Sequence, residues 1–276
     1  MNEKNKNLLI RVVTGVTLLP LVLLLLFLGG YYSAILLGAA AAVCAGEYYL
    51  ITQKRLGAAA WVGMAFAFVM PLLPLRDAAR TGETAFWLTS VFFFFAWIYN
   101  LFRGVLAEAP TRAAHLVTGF LYGSIGLTAL SALRLLPGEG HAWVICALTI
   151  TWANDTLAYF AGRFLGKHKL YPAVSPNKTW EGFFGGMVGS VLGMFIAKLG
   201  FFPIFTVWDC VVLGIAGGLL GPVGDLCESM LKRAYGVKDS GKLIPGHGGV
   251  LDRIDALIFN APLVFVYVQF VRHLLP

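Results

Sequence analysis

VVTGVTLLPLVLLLLFL, residues 12–28, contains no charged side chain, and its only polar ones are Thr14 and Thr17. With the residues just ahead of it, the run approaches the ~20 apolar residues that a membrane-spanning helix requires. The same texture recurs along the chain. Apolar segments fall at roughly 9–28, 31–51, 57–75, 84–101, 115–136, 142–161, 182–200, 207–231 and 255–275. Of 276 residues, 58% are hydrophobic and 13% charged, whereas a soluble domain carries about 25% charged residues. The expected fold is therefore all-α: a polytopic integral membrane protein of about nine transmembrane helices.

Charge sets the expected orientation. With the N-terminus inside, every Lys and Arg except Arg76, Arg80, Arg134, Lys198 and Arg272 falls on the inner side. That bias predicts N-in, C-out and puts the polar loops 162–181 and 232–254 in the cytoplasm. The net charge of +7 follows from these short inner segments and calls for no nucleic-acid partner. It also suits anionic lipid or a polyanionic substrate. Lys4, Lys6 and Arg11 ahead of the first run imitate a secretory signal. No A-x-A site follows closely and the run is long for such a signal, so it reads as a retained helix. Cys44, Cys146, Cys210 and Cys227 lie in apolar runs without a C-x-x-C pair, which points to core residues and away from disulfides or zinc.

The expected organisation is a single membrane domain, 1–276, with a helical scaffold half (1–140) and a catalytic half (141–276). The first half is chemically quiet. Phe92–Phe95 form a packing or lipid-facing surface, and Glu47 reads as an interfacial or helix-paired carboxylate. Ionisable groups at membrane depth cost ~2.5–3.5 kcal/mol each and mark functional sites by default. They gather in the second half: Asn154 and Asp155 in the sixth segment, Asp225 and Glu228 near the end of the eighth. On a helix Asp225, Glu228, Ser229 and Lys232 share one face. Gly214, Gly218 and Gly221 continue that face and allow another helix close. A lone acid there would simply pair with a lysine. Several acids beside two basic, glycine-rich loops suit a hard cation such as Mg2+, which takes oxygen ligands and shares its shell with substrate phosphates.

The loops carry the complementary charge. One holds Arg163, Lys167, His168 and Lys169, then Ser175-Pro176-Asn177-Lys178-Thr179-Trp180-Glu181-Gly182. This reads as a turn feeding a helix N-terminus, where free N–H groups favour an anion. The other holds Lys232-Arg233, Lys238-Asp239-Ser240-Gly241-Lys242, Ile244 to Gly249, and Asp252-Arg253-Ile254-Asp255. Glycines around His247 permit a tight path whose N–H groups suit a phosphate.

Ser229-Met230-Leu231-Lys232-Arg233, followed after four residues by Lys238-Asp239-Ser240-Gly241-Lys242-Leu243-Ile244-Pro245-Gly246-His247-Gly248-Gly249-Val250-Leu251-Asp252-Arg253-Ile254-Asp255, resembles the hallmark motif of the phosphatidate cytidylyltransferase (CDP-diacylglycerol synthase) family. The Ser175–Gly182 stretch and the Asp155…Tyr159…Gly162-Arg163…Gly166-Lys167 run are also similar to that family. The resemblance is close over about 150–276. It implies that CTP and phosphatidate are converted to CDP-diacylglycerol and pyrophosphate with Mg2+, in a multi-pass inner-membrane enzyme of phospholipid synthesis whose site faces the cytoplasm. A second, monovalent cation such as K+ and a homodimer are implied by the resemblance alone.

Two polyanions must meet in such a reaction, so fixed positive charge matters more than a covalent nucleophile. The expected metal ligands are Asp225 and Asp255, then Asp155 and Asp252. Lys178, Lys232, Arg233, Lys238 and Arg253 are expected to hold phosphates, and Ser175 and Thr179 to donate hydrogen bonds. Asn177, Asp239, Gly248 and Gly249 complete the expected nucleotide site. His247 either contacts pyrophosphate or orients a ligand. Two rivals are a transporter, which predicts midplane polar residues in both halves, and another CTP-dependent lipid-phosphate enzyme. The D-G-x-x-A-R pattern of CDP-alcohol phosphotransferases is absent.

Overall fold

The computed structural model describes residues 3–103 and 105–274, and side chains from Leu8 onward. Lys4 and Lys6, counted above for orientation, lie outside the described side chains, and residue 275 of the last expected segment lies outside the described residues. The elements in chain order are α1 (Glu3–Leu28), α2 (Gly30–Gln53), α3 (Ala58–Val69), a 3-10 turn (Met70–Leu72), α4 (Leu73–Arg76), α5 (Thr81–Arg103), α6 (Ala109–Arg134) and α7 (Gly140–Phe164). They continue with β1 (Lys169–Tyr171), β2 (Ser175–Thr179), α8 (Trp180–Gly200), α9 (Val207–Ala234), α10 (Leu251–Ile254) and α11 (Leu257–Phe270).

Among the described residues, eight helical stretches are long and apolar enough to cross a membrane, and α11 is a shorter apolar helix. The fold is thus all-α and polytopic, as its composition requires. The third expected segment is interrupted at Pro71 and Pro74, each lacking the N–H a helix needs, so it becomes α3, the 3-10 turn and α4. The segment expected from 255 starts as helix only at Leu257, leaving Asp255 in the preceding turn.

The chain divides into two compact units. One holds residues to Leu136 together with Val237–Arg253, and the other Pro137–Gly236 with Ile254–Leu274. In the first unit α2 lies against α3 and α6. Tyr49 donates from its hydroxyl to the Leu116 carbonyl at 2.8 Å, which gives a fully buried phenol its partner. The phenylalanine run splits by helical phase. Phe92 is buried against Phe66 and Phe120, whereas Phe93 and Phe94 stay exposed on a lipid-suited surface. The Arg134 guanidinium donates to the carbonyls of Leu26 (2.6 Å) and Phe27 at the end of α1, placing positive charge on orphan C-terminal carbonyls.

In the second unit α8 runs between α7 and α9, and α11 packs on α7 and α9. Close approach depends on missing side chains: a β-carbon at Gly218 would stand 2.7 Å from the Met187 Cα. Pro222 lies inside α9, and having no N–H it leaves the carbonyl four residues earlier, at Gly218, without its helical donor. Asn154 of α7 supplies the bond: its Nδ2 donates to the Gly218 carbonyl at 3.1 Å and lies 3.3 Å from the Ser190 hydroxyl. That hydroxyl donates to the Ile150 carbonyl. A membrane interior has no water to do this work. At the far end, Asp209 closes a capping box with Thr206 and accepts from the Tyr267 hydroxyl at 2.6 Å and from Arg272. This fixes the end of α11 to the start of α9.

Replacing Asn154 with Leu strands the Gly218 carbonyl. We expect a loss of about 1–3 kcal/mol, read as a lower unfolding midpoint of the detergent-purified chain; an unchanged midpoint would show that the bond contributes nothing.

Candidate active-site clusters

The α9 stripe is paired residue by residue. Ser229 donates from its hydroxyl to Asp225 Oδ1 at 3.2 Å, and the Lys232 ammonium sits 2.6 Å from Glu228 Oε2, both side chains being buried. Opposite charges at i and i+4 offset the cost of burial that each would bear alone. Lys232 is thus held against α9's own carboxylate.

The segment 169–179 is an antiparallel hairpin, with Lys169 opposite Thr179 and Tyr171 opposite Ser175. It feeds α8 as expected: Thr179 is the N-cap, its hydroxyl oxygen accepting from the Gly182 N–H at 3.1 Å. One residue earlier, Lys178 reaches Asp225, with Nζ 2.7 Å from Oδ2 and 3.5 Å from the Pro222 carbonyl. Asn177 is exposed and Ser175 half-buried. Arg233 donates from Nε to the Val174 carbonyl, joining the end of α9 to the hairpin.

Asp255 approaches α9 at Gly224, where a β-carbon would stand 2.7 Å from the Asp255 carbonyl oxygen. The residue next to Asp225 must therefore be small. Desolvation first, and then the negative charge of Asp225, push the Asp255 carboxyl up to about 7; the Ala256 N–H donating to Oδ1 opposes this, Asp155 adds to it and Lys178 acts against it. Asp155, Asp225 and Asp255 therefore share one electrostatic field. Among the described residues no three His, Cys, Asp or Glu side chains form a closed metal cage. A hard cation that draws on one or two carboxylates and completes its shell with substrate phosphates requires none. The donor chemistry fits such an ion, because a cation offsets the desolvation and then the repulsion that drive Asp255 toward its neutral form.

The first unit holds the second cluster. Arg11, Lys238, Lys242, His247 and Arg253 line a cavity of about 440 Å3 together with Asp239 and the loop glycines. Gly246 and Gly248 take positive φ values of 75° and 89°, the left-handed region where glycine is free of strain. The N–H groups of His247 and Gly248 both donate to the Ile244 carbonyl, and that of Gly249 donates to Asp252 Oδ2. Gly246 and Gly248 thus shape the turn, and His247, Gly248 and Gly249 spend their donors within it. Asp252 Oδ2 also accepts from the Ser240 N–H at 2.9 Å and lies 3.0 Å from its hydroxyl. Of the expected metal ligands, Asp252 gives Oδ2 to two backbone N–H groups of its loop, and Asp255 gives Oδ1 to the Ala256 N–H.

Sequence reasoning passed over two residues. Arg11 counted only toward orientation, yet it lines the cationic cavity beside Gly246. Glu47 reads in the sequence as an interfacial or helix-paired carboxylate, yet it is 5% exposed and accepts from the Val250 and Leu251 N–H groups of a distant loop. A carboxylate alone in an apolar helix was the available signal for the second.

The sequence model of the cytidylyltransferase family matches residues 9–271. The chain belongs to the cytidylyltransferase family. A phosphatidate cytidylyltransferase of Staphylococcus epidermidis is 42% identical over 152 residues, which are 55% of this chain and 57% of that protein. One of Brucella abortus is 41% identical over 150 residues, 54% of this chain and 55% of the relative. The chain thus spans somewhat over half the length of these relatives. The cytidylyltransferase match takes in Arg11, Glu47 and all of the acids described above.

A cavity with this many cations is expected to bind a polyanion. Calorimetry with inorganic pyrophosphate should show binding that weakens at least about tenfold in Arg11→Ala, since a hydrogen bond to a charged group contributes about 1.5–3 kcal/mol, and that weakens further with salt. Equal affinity in wild type and variant would remove Arg11 from the site.

Proposed function

We propose that this chain transfers the CMP moiety of CTP to phosphatidate, giving CDP-diacylglycerol and pyrophosphate, in the synthesis of phospholipids. Family membership and the names of the relatives support a cytidylyltransferase acting on phosphatidate. The observation that carries the reading is the set of Asp155, Asp225 and Asp255 in one field with Lys178 at 2.7 Å from Asp225. Carboxylates that repel one another beside a lysine suit a reaction between two phosphates, in which cations must enter.

In the proposed reaction a phosphatidate oxygen attacks the α-phosphorus of CTP in line. The P–O bond to pyrophosphate breaks, and pyrophosphate leaves with its charge. Phosphatidate is already anionic at neutral pH, so no side chain has to remove a proton. Asp225 and Asp255 would hold a divalent cation such as Mg2+, with Asp155 beside them. When bound, such an ion supplies charge neutralisation for the reacting phosphates. Lys178 exchanges its contact with Asp225 for a phosphate oxygen when substrate arrives. In the first unit, Arg11, Lys238, Lys242 and Arg253 are the groups suited to take anionic phosphate oxygens, and in the second Lys232 remains with Glu228. The basic bias of the loops supports an N-in orientation with the site at the cytoplasmic headgroup level. There CTP arrives from water and the lipid from the bilayer.

The test follows label from CTP in detergent-purified protein with phosphatidate and Mg2+. We expect label in a lipid-extractable product, equimolar pyrophosphate, and loss of both with EDTA. Asp225→Asn should lower kcat at least about a hundredfold, the scale seen when one charge-stabilising group is removed. Release of CDP in place of pyrophosphate would make the chain a CTP-dependent lipid kinase, and full activity in Asp225→Asn would remove that carboxylate from the cation site.

A further inference from the structure

Glu47 is the sole carboxylate of α2 and is 5% exposed. A buried carboxylate is costly unless its oxygens are satisfied. The donors come from a segment about two hundred residues later in the chain. The Val250 and Leu251 N–H groups donate to Oε1 and Oε2 at 2.9 and 2.8 Å, and the Ser240 hydroxyl lies 2.9 Å from Oε2. The same hydroxyl lies 3.0 Å from Asp252 Oδ2, so Ser240 bridges Glu47 to the carboxylate that closes the loop.

Two glycines give an independent sign of what Glu47 does. Gly241 and Gly249 do not have positive φ, so their backbones do not demand glycine. Space does. A β-carbon at Gly241 would stand 2.5 Å from Glu47 Oε1, and one at Gly249 would stand 2.1 Å from the Ser240 hydroxyl, itself bonded to Glu47, and 2.5 and 2.6 Å from Oε2 and Oε1. Both positions admit the carboxylate only while they carry no side chain. The loop is thus wrapped around Glu47, with its Lys238, Lys242, His247 and Arg253 turned to the cavity.

We propose that Glu47 is a positioning residue. Its carboxylate is the template on which residues 240–251 fold, and it holds the loop's cations in one arrangement before an anion arrives. The consequence for binding rests on the reading of that cavity as a phosphate site. Glutamine at position 47 has one acceptor oxygen and turns an NH2 group toward N–H donors, so the template fails although size and helix propensity are kept. Aspartate keeps the charge but is one methylene short and should restore part of the effect.

The experiment uses the full chain in detergent, as wild type, Glu47→Gln, Glu47→Asp and Gly249→Ala, with hydrogen exchange and CTP titration on each. In Glu47→Gln we expect the Val250 and Leu251 amides to exchange about tenfold faster. Amides of α8 should exchange as in wild type. The KM for CTP should rise about tenfold with kcat within about threefold, and Glu47→Asp should fall between. Gly249→Ala crowds the carboxylate from the loop side and should give the same pattern, which keeps the test valid if Glu47→Gln folds poorly. Wild-type exchange at Val250 and Leu251 in both Glu47→Gln and Gly249→Ala overturns the proposal. Faster exchange at those amides in a chain whose wild type binds no CTP supports the template and overturns only the phosphate reading.

Discussion

A charge or an unpaired backbone group inside lipid has to find its partner within the protein, and that constraint orders this structure. Asn154 serves the carbonyl that Pro222 strands, Arg134 the carbonyls at the end of α1, and Tyr267 and Arg272 the buried Asp209. Each contact ties a helix to a neighbour. In a membrane, where apolar burial gives helices little reason to associate, such bonds and close glycine contacts specify which helices meet.

The same constraint separates structural acids from reactive ones. Asp209 and Glu47 have their oxygens satisfied by donors of the fold, and Asp252 spends Oδ2 on its loop. Asp225 is held by the side chains of Lys178 and Ser229, and Asp255, which gives Oδ1 to the Ala256 N–H, is pressed toward its neutral form by burial first and then by its acidic neighbours. Groups held in this way can take a cation or release a lysine to a phosphate without dismantling a helix. The contrast is why the proposed chemistry is assigned to Asp225 and Asp255, and the shape of the loop to Glu47 and Asp252.

Much of this was legible in the sequence. Apolar runs of spanning length revealed the helices, because length and hydropathy are local properties. The i, i+3, i+4, i+7 spacing placed Asp225, Glu228, Ser229 and Lys232 on one face for the same reason, and Thr179 followed by Gly182 read correctly as a helix start. Pairings distant in sequence were not legible. Nothing local shows that Glu47 meets Ser240 and Val250, that Arg11 lines a cavity with Lys238, or that Lys178 reaches Asp225. The loop glycines misled in one respect: their abundance suggested N–H groups aimed at phosphate, whereas His247, Gly248 and Gly249 donate within the turn, and Gly249 is small because the Ser240 hydroxyl and the Glu47 carboxylate lie behind it.

The division between reactive and structural acids is tested most directly by Mn2+ binding, followed by electron paramagnetic resonance on the purified chain with and without phosphatidate. With phosphatidate added to complete the shell, we expect a saturable signal displaced by Mg2+ that is absent or weaker without the lipid, and weakened at least about tenfold in Asp225→Asn and in Asp255→Asn, the loss anticipated when one of few charged ligands is removed. Wild-type affinity in both variants would contradict the assignment of the cation to these carboxylates.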